Sequence, residues 1–154
     1  MLKSIEGNFD NIEVHNLLDK HFIELRSVSP EGSAHVLDIA GLRVSSIKFW
    51  SFWEGDELMG VGAIKFLNKI HGEFKSIRVN DKYRNKGYGI EIVNHLINEA
   101  RKLNIKELSL ETGAGNFFQN ARKLFAKCGF KTCEPFSHYE IDVNSLYMSM
   151  LISN

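Results

Sequence analysis

Between residues 47 and 79 three strand-forming stretches follow one another with only short polar links between them, and this leaves little alternative to an antiparallel sheet. Residues 47–53 are dense in aromatic side chains, 58–66 form an apolar run, and 73–79 read as a strand. Glu54-Gly55-Asp56-Glu57 is a hairpin turn and residues 68–72 form a second reversal. Links this short exclude the long crossover that parallel neighbours require.

Around this core the pattern alternates. Val14, Leu17, Leu18, Phe22 and Leu25 recur at helical spacing, which predicts a first helix that Ser29-Pro30-Glu31-Gly32-Ser33 ends. A short second helix is expected around residues 37–44. Beyond a polar link at 80–86, Ile90, Val93, Leu96, Ile97, Ala100 and Leu103 return to helical period. Residues 107–112 alternate as a half-buried strand. Another helix then carries Phe117, Phe118, Ala121, Leu124, Phe125 and Cys128 on one face, with Gly129 as its C-terminal cap. A short extended piece at 130–133 and a last strand at 146–152 complete an α+β chain of 154 residues, which suits a single domain over 1–154.

Cys128 and Cys133 make a poor disulfide framework, neither shows zinc-ligand spacing, and no metal is expected. The first residues lack an apolar signal stretch and no run approaches a membrane span, so the expectation is a cytoplasmic protein without membrane contact. Formal net charge is zero and there is no recognition motif, which argues against nucleic acid. The charge is uneven, however. Residues 1–64 hold 5 Lys and Arg against 10 Asp and Glu, and residues 65–106 hold 10 against 4. A basic middle suits an anionic ligand, and an acidic first part suits a small cationic acceptor if it forms a pocket wall.

Within that basic middle lies Ile77-Arg78-Val79-Asn80-Asp81-Lys82-Tyr83-Arg84-Asn85-Lys86-Gly87-Tyr88-Gly89, a strand leading through a basic loop into a helix. Free backbone N–H groups and the positive end of a helix dipole meet there, so a phosphate finds donors without dedicated side chains. Gly87 and Gly89 would permit close approach and positive φ. Neither the nucleotide P-loop pattern nor the dinucleotide Gly-x-Gly-x-x-Gly pattern is completed anywhere in the chain.

Arg84-Asn85-Lys86-Gly87-Tyr88-Gly89 resembles the Arg/Gln-x-x-Gly-x-Gly/Ala loop of the GNAT superfamily of N-acetyltransferases, and Asn80-Asp81-Lys82-Tyr83 resembles its usual lead-in. The segment from Ala121 to Phe130 is similar to that family's second cofactor-side block. Leu110-Glu111-Thr112-Gly113, the stretch from Glu134 to Tyr139, and His35-Val36-Leu37-Asp38 resemble a subgroup of small bacterial members. The resemblance implies a mixed, mostly antiparallel sheet flanked by helices and splayed at the cofactor strand. It also implies acetyl-CoA as co-substrate, held by Ile77, Arg78 and Val79 on the strand and by Arg84, Asn85, Lys86, Gly87, Tyr88 and Gly89 in the loop. Two positions depart from the family pattern: Phe125 stands where many members have a proton-donating Tyr, and Phe118 where many have Asn.

Candidate catalytic groups are Glu111 at the end of its strand, Glu73, and Tyr139 with His138 in the loop before the last strand. Strand alternation puts Glu73 on the face of Ile77 and Val79. Tyr139 is a candidate substitute for the donor missing at Phe125, and Lys75 occupies the family's commonest base position. His35 and Asp38 are candidate acceptor contacts. The implied function is direct acetyl transfer to a primary amine of a small molecule or protein; a non-catalytic acyl-CoA sensor is the alternative that Phe125 leaves open, and a homodimer is a separate open point.

Overall fold

The computed structural model describes residues 1–153. Its centre is a seven-stranded sheet in the order β1-β2-β3-β4-β5-β7-β6, made of β1 (Lys3–Glu6), β2 (Ile47–Glu54), β3 (Glu57–Phe66), β4 (His71–Val79), β5 (Glu107–Gly113), β6 (Lys131–Cys133) and β7 (Ser145–Leu151). Neighbours are antiparallel except β4 and β5, whose registered pairs run from His71↔Glu107 to Glu73↔Ser109. The turn between β2 and β3 is the expected two-residue hairpin, with Gly55 at φ 59°.

Helices cover both faces. The long α1 (Ile12–Val28) and the one-turn α2 (Ile39–Leu42) pack on one face, where Val14, Leu17, Leu18 and Leu42 meet Phe49, Trp53 and Val61. The other face carries α3 (Tyr88–Lys102) and α4 (Gln119–Lys127), whose Ile92, Val93, Leu96 and Phe125 meet Phe52, Ile64, Phe74 and Leu110. Asn11 caps α1 by accepting from the amides of Glu13 and Val14 at 2.9 and 3.2 Å. The helix stops at Ser29, held extended at ψ 138° by the proline that follows. No described helix is long and apolar enough to cross a membrane.

Four expectations need correction. Strand β1 has no counterpart among the expected elements, because all four of its residues are exposed and its edge position leaves no apolar alternation to read. The buried stripe of α1 takes His21 and leaves Phe22 half-buried, since 14, 17, 18 and 21 continue one face. The last helix is shorter than its apolar pattern, with Asn116–Phe118 forming a 3₁₀ turn ahead of Gln119.

The fourth correction matters most for function. Lys75 pairs with Ala63 and Arg78 with Val61, so Ser76 and Ile77 together face Gly62 alone. This is a β-bulge, with Ser76 at φ 53°, and it reverses side-chain parity along β4. Phe74, Ile77 and Val79 therefore pack toward α3 and α4, whereas Glu73, Lys75 and Arg78 face α1 and the loop carrying Tyr139. Glu73 does not share a face with Ile77 and Val79.

Candidate active site

The bulge sits in the wall of a cavity of about 750 Å³ that opens where β4 and β5 continue beyond their last registered pair, between residues 74–79 and 110–113. On one side it runs to the start of α3 and to α4. On the other it reaches the C-terminal part of α1 and residues 33–36.

The α3 side combines the turn at residues 83–90 with Phe117, Phe118, Leu124 and Phe125 from the segment that ends in α4. Asn85 and Gly87 both adopt left-handed backbone, at φ 63° and 89°, and turn the chain so that α3 begins in the cavity wall. Gly87 is the N-cap and makes no side-chain cap, so the first-turn amides of a 15-residue helix have no side-chain acceptor at their cap. A Cβ on Gly87 would meet nothing within 4 Å; the requirement for glycine there is conformational. Gly89 has a different reason: a Cβ would come within 3.0 Å of Leu124, so its smallness lets α3 pack on α4. Arg84, Lys123 and Lys127 add positive charge to this wall. Lys86 in the loop and Tyr88 at the first position of α3 do not line the cavity.

Arg78 points away from this side. Its guanidinium donates to Glu24 Oε1 at 2.9 Å and Asp81 Oδ1 at 3.0 Å, and Arg84 reaches the same Asp81 oxygen at 2.9 Å. Burial works against the Asp81 carboxylate, but Lys20, Arg78 and Arg84 hold it below the usual carboxylate range. His21 Nδ1 lies 3.4 Å from the same guanidinium, and burial together with Arg78 pushes the imidazole down to about 3. It is thus a permanently neutral wall residue near neutral pH.

On the α1 side the wall is made of side chains. Lys75 Nζ donates to Tyr139 Oη at 2.8 Å and lies 3.1 Å from Glu73 Oε2; Tyr139 Oη donates to Glu73 Oε2 at 2.5 Å. Burial and the Glu73 carboxylate push the Tyr139 phenol well above its ordinary value. Of these three, only Lys75 lines the cavity; Glu73 and Tyr139 lie behind it. Glu111 also lines it, and accepts from Ser145 Oγ at 2.8 Å. Burial raises the Glu111 carboxyl above the usual range, with Glu73 and Asp142 adding to this and the Ser145 hydroxyl and Lys75 opposing it.

Of the acceptor candidates, His35 lines the cavity, its ring edge-on to Tyr139 at 5.0 Å; burial and Lys75 lower its pKa. Asp38 does not line it. Its carboxylate caps α2 by accepting from the Gly41 amide at 2.8 Å. None of the ten acidic residues of segment 1–64 lines the cavity, which removes the charge-based reason for a cationic acceptor. His138 is exposed and stacks on Tyr139 at 4.6 Å. Phe125 lies in the core at 5.8 Å from the Phe130 ring, and Phe118 covers Gly113 so closely that a Cβ there would come within 2.1 Å.

Sequence reasoning missed His21, which lines the cavity, and Ser145, which donates to Glu111. The first was legible from the α1 stripe. The second requires knowing that β5 and β7 pair, with Gly113 opposite Ser145.

Residues 12–130 match the acetyltransferase (GNAT) family. The chain is 44% identical over 137 residues to YsnE of Bacillus subtilis, an uncharacterised N-acetyltransferase, covering 89% of this chain and 91% of that protein. It is 38% identical over 139 residues to YedL of Escherichia coli, another uncharacterised N-acetyltransferase, covering 90% and 87%. A Bacillus subtilis acetyltransferase solved in complex with CoA superposes with a TM-score of 0.72 at 20% identity, over 99% of this chain and all of that one.

Proposed function

Since this chain belongs to the GNAT family of acetyltransferases, we propose that it moves the acetyl group of acetyl-CoA directly to a primary amine. The observation that carries this reading is the junction of β4 and α3. Left-handed backbone at Asn85 and Gly87 brings an uncapped helix start into the wall of a cavity that continues through the sheet to Glu111.

The residues present fit the co-substrate. Amides of residues 84–89 and the α3 dipole suit a pyrophosphate, Arg84, Lys123 and Lys127 suit further phosphate charge, and Ile77 and Val79 offer strand backbone to an extended arm. The bound thioester would supply an activated acetyl carbon. Glu111, a carboxyl on the cavity wall with elevated pKa, takes the proton of the attacking amine, directly or through a water. As the carbon–nitrogen bond forms and the carbon–sulfur bond breaks, the coenzyme leaves as its thiolate and takes up a proton from solvent. A thiol pKa of about 8.5 lets the sulfur depart near neutral pH without a dedicated acid, so Phe125 does not preclude catalysis. Tyr139 and Glu73 act behind the wall, as the groups that hold Lys75.

Thiol release from acetyl-CoA with a panel of primary amines tests this function. Amine-dependent turnover is expected. Thermal stabilisation by acetyl-CoA with no turnover on any amine would favour an acyl-CoA sensor instead.

A further inference from the structure

Lys75 and Glu111 continue the β4–β5 register two residues beyond Glu73↔Ser109, their last registered pair, and both precede the parity reversal at Ser76. They thus flank the same opening, one cationic and one anionic, and both line it.

Each has capacity to spare. A lysine ammonium has three donors. Lys75 has close partners in Tyr139 Oη and Glu73 Oε2 and lies 5.5 Å from the Tyr139 ring centre, and its third hydrogen bond, to the His35 carbonyl at 3.4 Å, is long enough to be weak. Glu111 accepts from Ser145 through Oε2, and among the described residues no donor reaches its other oxygen. Lys75 is also held in place: its ammonium is fixed from behind by a buried carboxylate and a phenol. The remaining α1-side wall brings Leu25, Ala34 and Val36, two serines, Ser29 and Ser33, and the neutral rings of His21 and His35. Arg78 also faces this side, but both its terminal nitrogens are engaged, one by Glu24 at 2.9 Å and the other by Asp81 at 3.0 Å.

Resting on the acetyltransferase reading above, we propose that the acceptor is a zwitterion of the amino-acid type, with its amine on Glu111, its carboxylate on Lys75 and a compact apolar side chain against Leu25, Ala34 and Val36. A polyamine would find a single carboxylate on this wall and an ammonium beside it. An amine lacking the carboxylate would leave the third Lys75 donor with only its long contact to the His35 carbonyl.

Valine, valinamide, isobutylamine and spermidine, compared as acceptors by thiol release, test this. Valine is expected to exceed the other three by about tenfold or more in kcat/KM, the scale of one charge-assisted hydrogen bond. Lys75→Met alone would strand the buried Glu73 carboxylate, so the pair is removed together. In Glu73→Gln/Lys75→Met the valine-to-isobutylamine ratio should fall to about one, whereas Lys75→Arg, which keeps the charge, should preserve a preference for valine. If that double variant does not fold, the loss or retention of that preference in Glu73→Gln/Lys75→Gln, which keeps a hydrogen-bonding side chain at both positions, decides. Equal or better use of valinamide, isobutylamine or spermidine by the wild type would overturn the proposal, as would a ratio that survives removal of the charge. If acetyl-CoA binds but nothing is acetylated, titration of valine and isobutylamine into CoA-saturated protein separates the two claims. Binding of valine alone would uphold the subsite and overturn the catalytic reading; binding of neither would overturn the subsite.

Discussion

On the α3 side of β4 the cavity wall includes one continuous turn, residues 83–90, bent by left-handed backbone at Asn85 and Gly87, beside residues of α4; on the α1 side its polar groups are held by side chains gathered from distant parts of the chain. Tyr139 reaches Glu73 across 66 residues, Lys75 reaches the His35 carbonyl across 40, and Ser145 reaches Glu111 across 34. A main-chain site tolerates changes of side chain but not of backbone conformation. A side-chain site depends on a few charges whose values are set by their neighbours.

That contrast can be broken most forcefully at Glu111. Glu111→Gln should lower kcat by about 10² to 10⁴, the usual worth of a general base, while acetyl-CoA affinity stays close to wild type. In the wild type, activity should fall as pH drops through the Glu111 pKa, which burial holds above the ordinary carboxylate range; the variant should lack that limb. A preserved limb would assign the base elsewhere.

Next in size is Gly113→Ala, at the end of β5, where an added methyl would meet the Phe118 ring at 2.1 Å. Overpacking of this kind costs up to about 3 kcal/mol, read from denaturant unfolding, and Gly113→Ala/Phe118→Ala should recover part of that stability. Recovery of none would mean that the ring is not the obstacle.

His21 should make the α1 side the acid-sensitive one. Its folded pKa is lowered from 6.5 to about 3, so the unfolded chain takes up the proton first. Stability from this group is fully present above pH 6.5 and is lost as pH falls toward 3. Linkage puts the loss at about 2 kcal/mol between pH 7 and pH 5. Thermal or denaturant unfolding of His21→Gln should show a flatter dependence over that interval; an unchanged slope would place the acid sensitivity elsewhere.

The smallest effect is expected at Gly89. Ala there gains helix propensity of about 0.5–1 kcal/mol but pushes on Leu124 at 3.0 Å, so stability should change little and acetyl-CoA binding should persist. A large drop in binding would show that Gly89, like Gly87, serves the ligand and not only the packing of α3 on α4.

The same contrast explains what the sequence revealed. The element order and the candidate cofactor loop are local: apolar periodicity marks α1, α3 and β2 to β4, and the strand, basic loop, glycines and helix follow one another within residues 77–89. The placement of Glu73 is not local. Strand alternation is a sound rule until one extra residue enters, and nothing in Lys75-Ser76-Ile77 announces that Ser76 will adopt φ 53° opposite Gly62. The acidic bias of residues 1–64 misleads for a related reason: charge along a chain becomes charge in a cleft only when the fold turns it inward, and here those carboxylates lie outside the cavity. Asp38 serves as a helix cap, a use its position before a short helix allows.

The central claim is that the start of α3 receives the phosphates of acetyl-CoA, and calorimetric titration of Gly87→Asp against Gly87→Asn tests it most directly. Both variants bear the backbone strain of a side chain at φ 89°, in a place where the added atom meets nothing, so they differ chiefly in charge. The account predicts that folded Gly87→Asp loses about 100-fold or more in acetyl-CoA affinity, the scale of a few kcal/mol of misplaced negative charge, while Gly87→Asn retains most of it. Equal affinity in the two variants, close to that of the wild type, would contradict it.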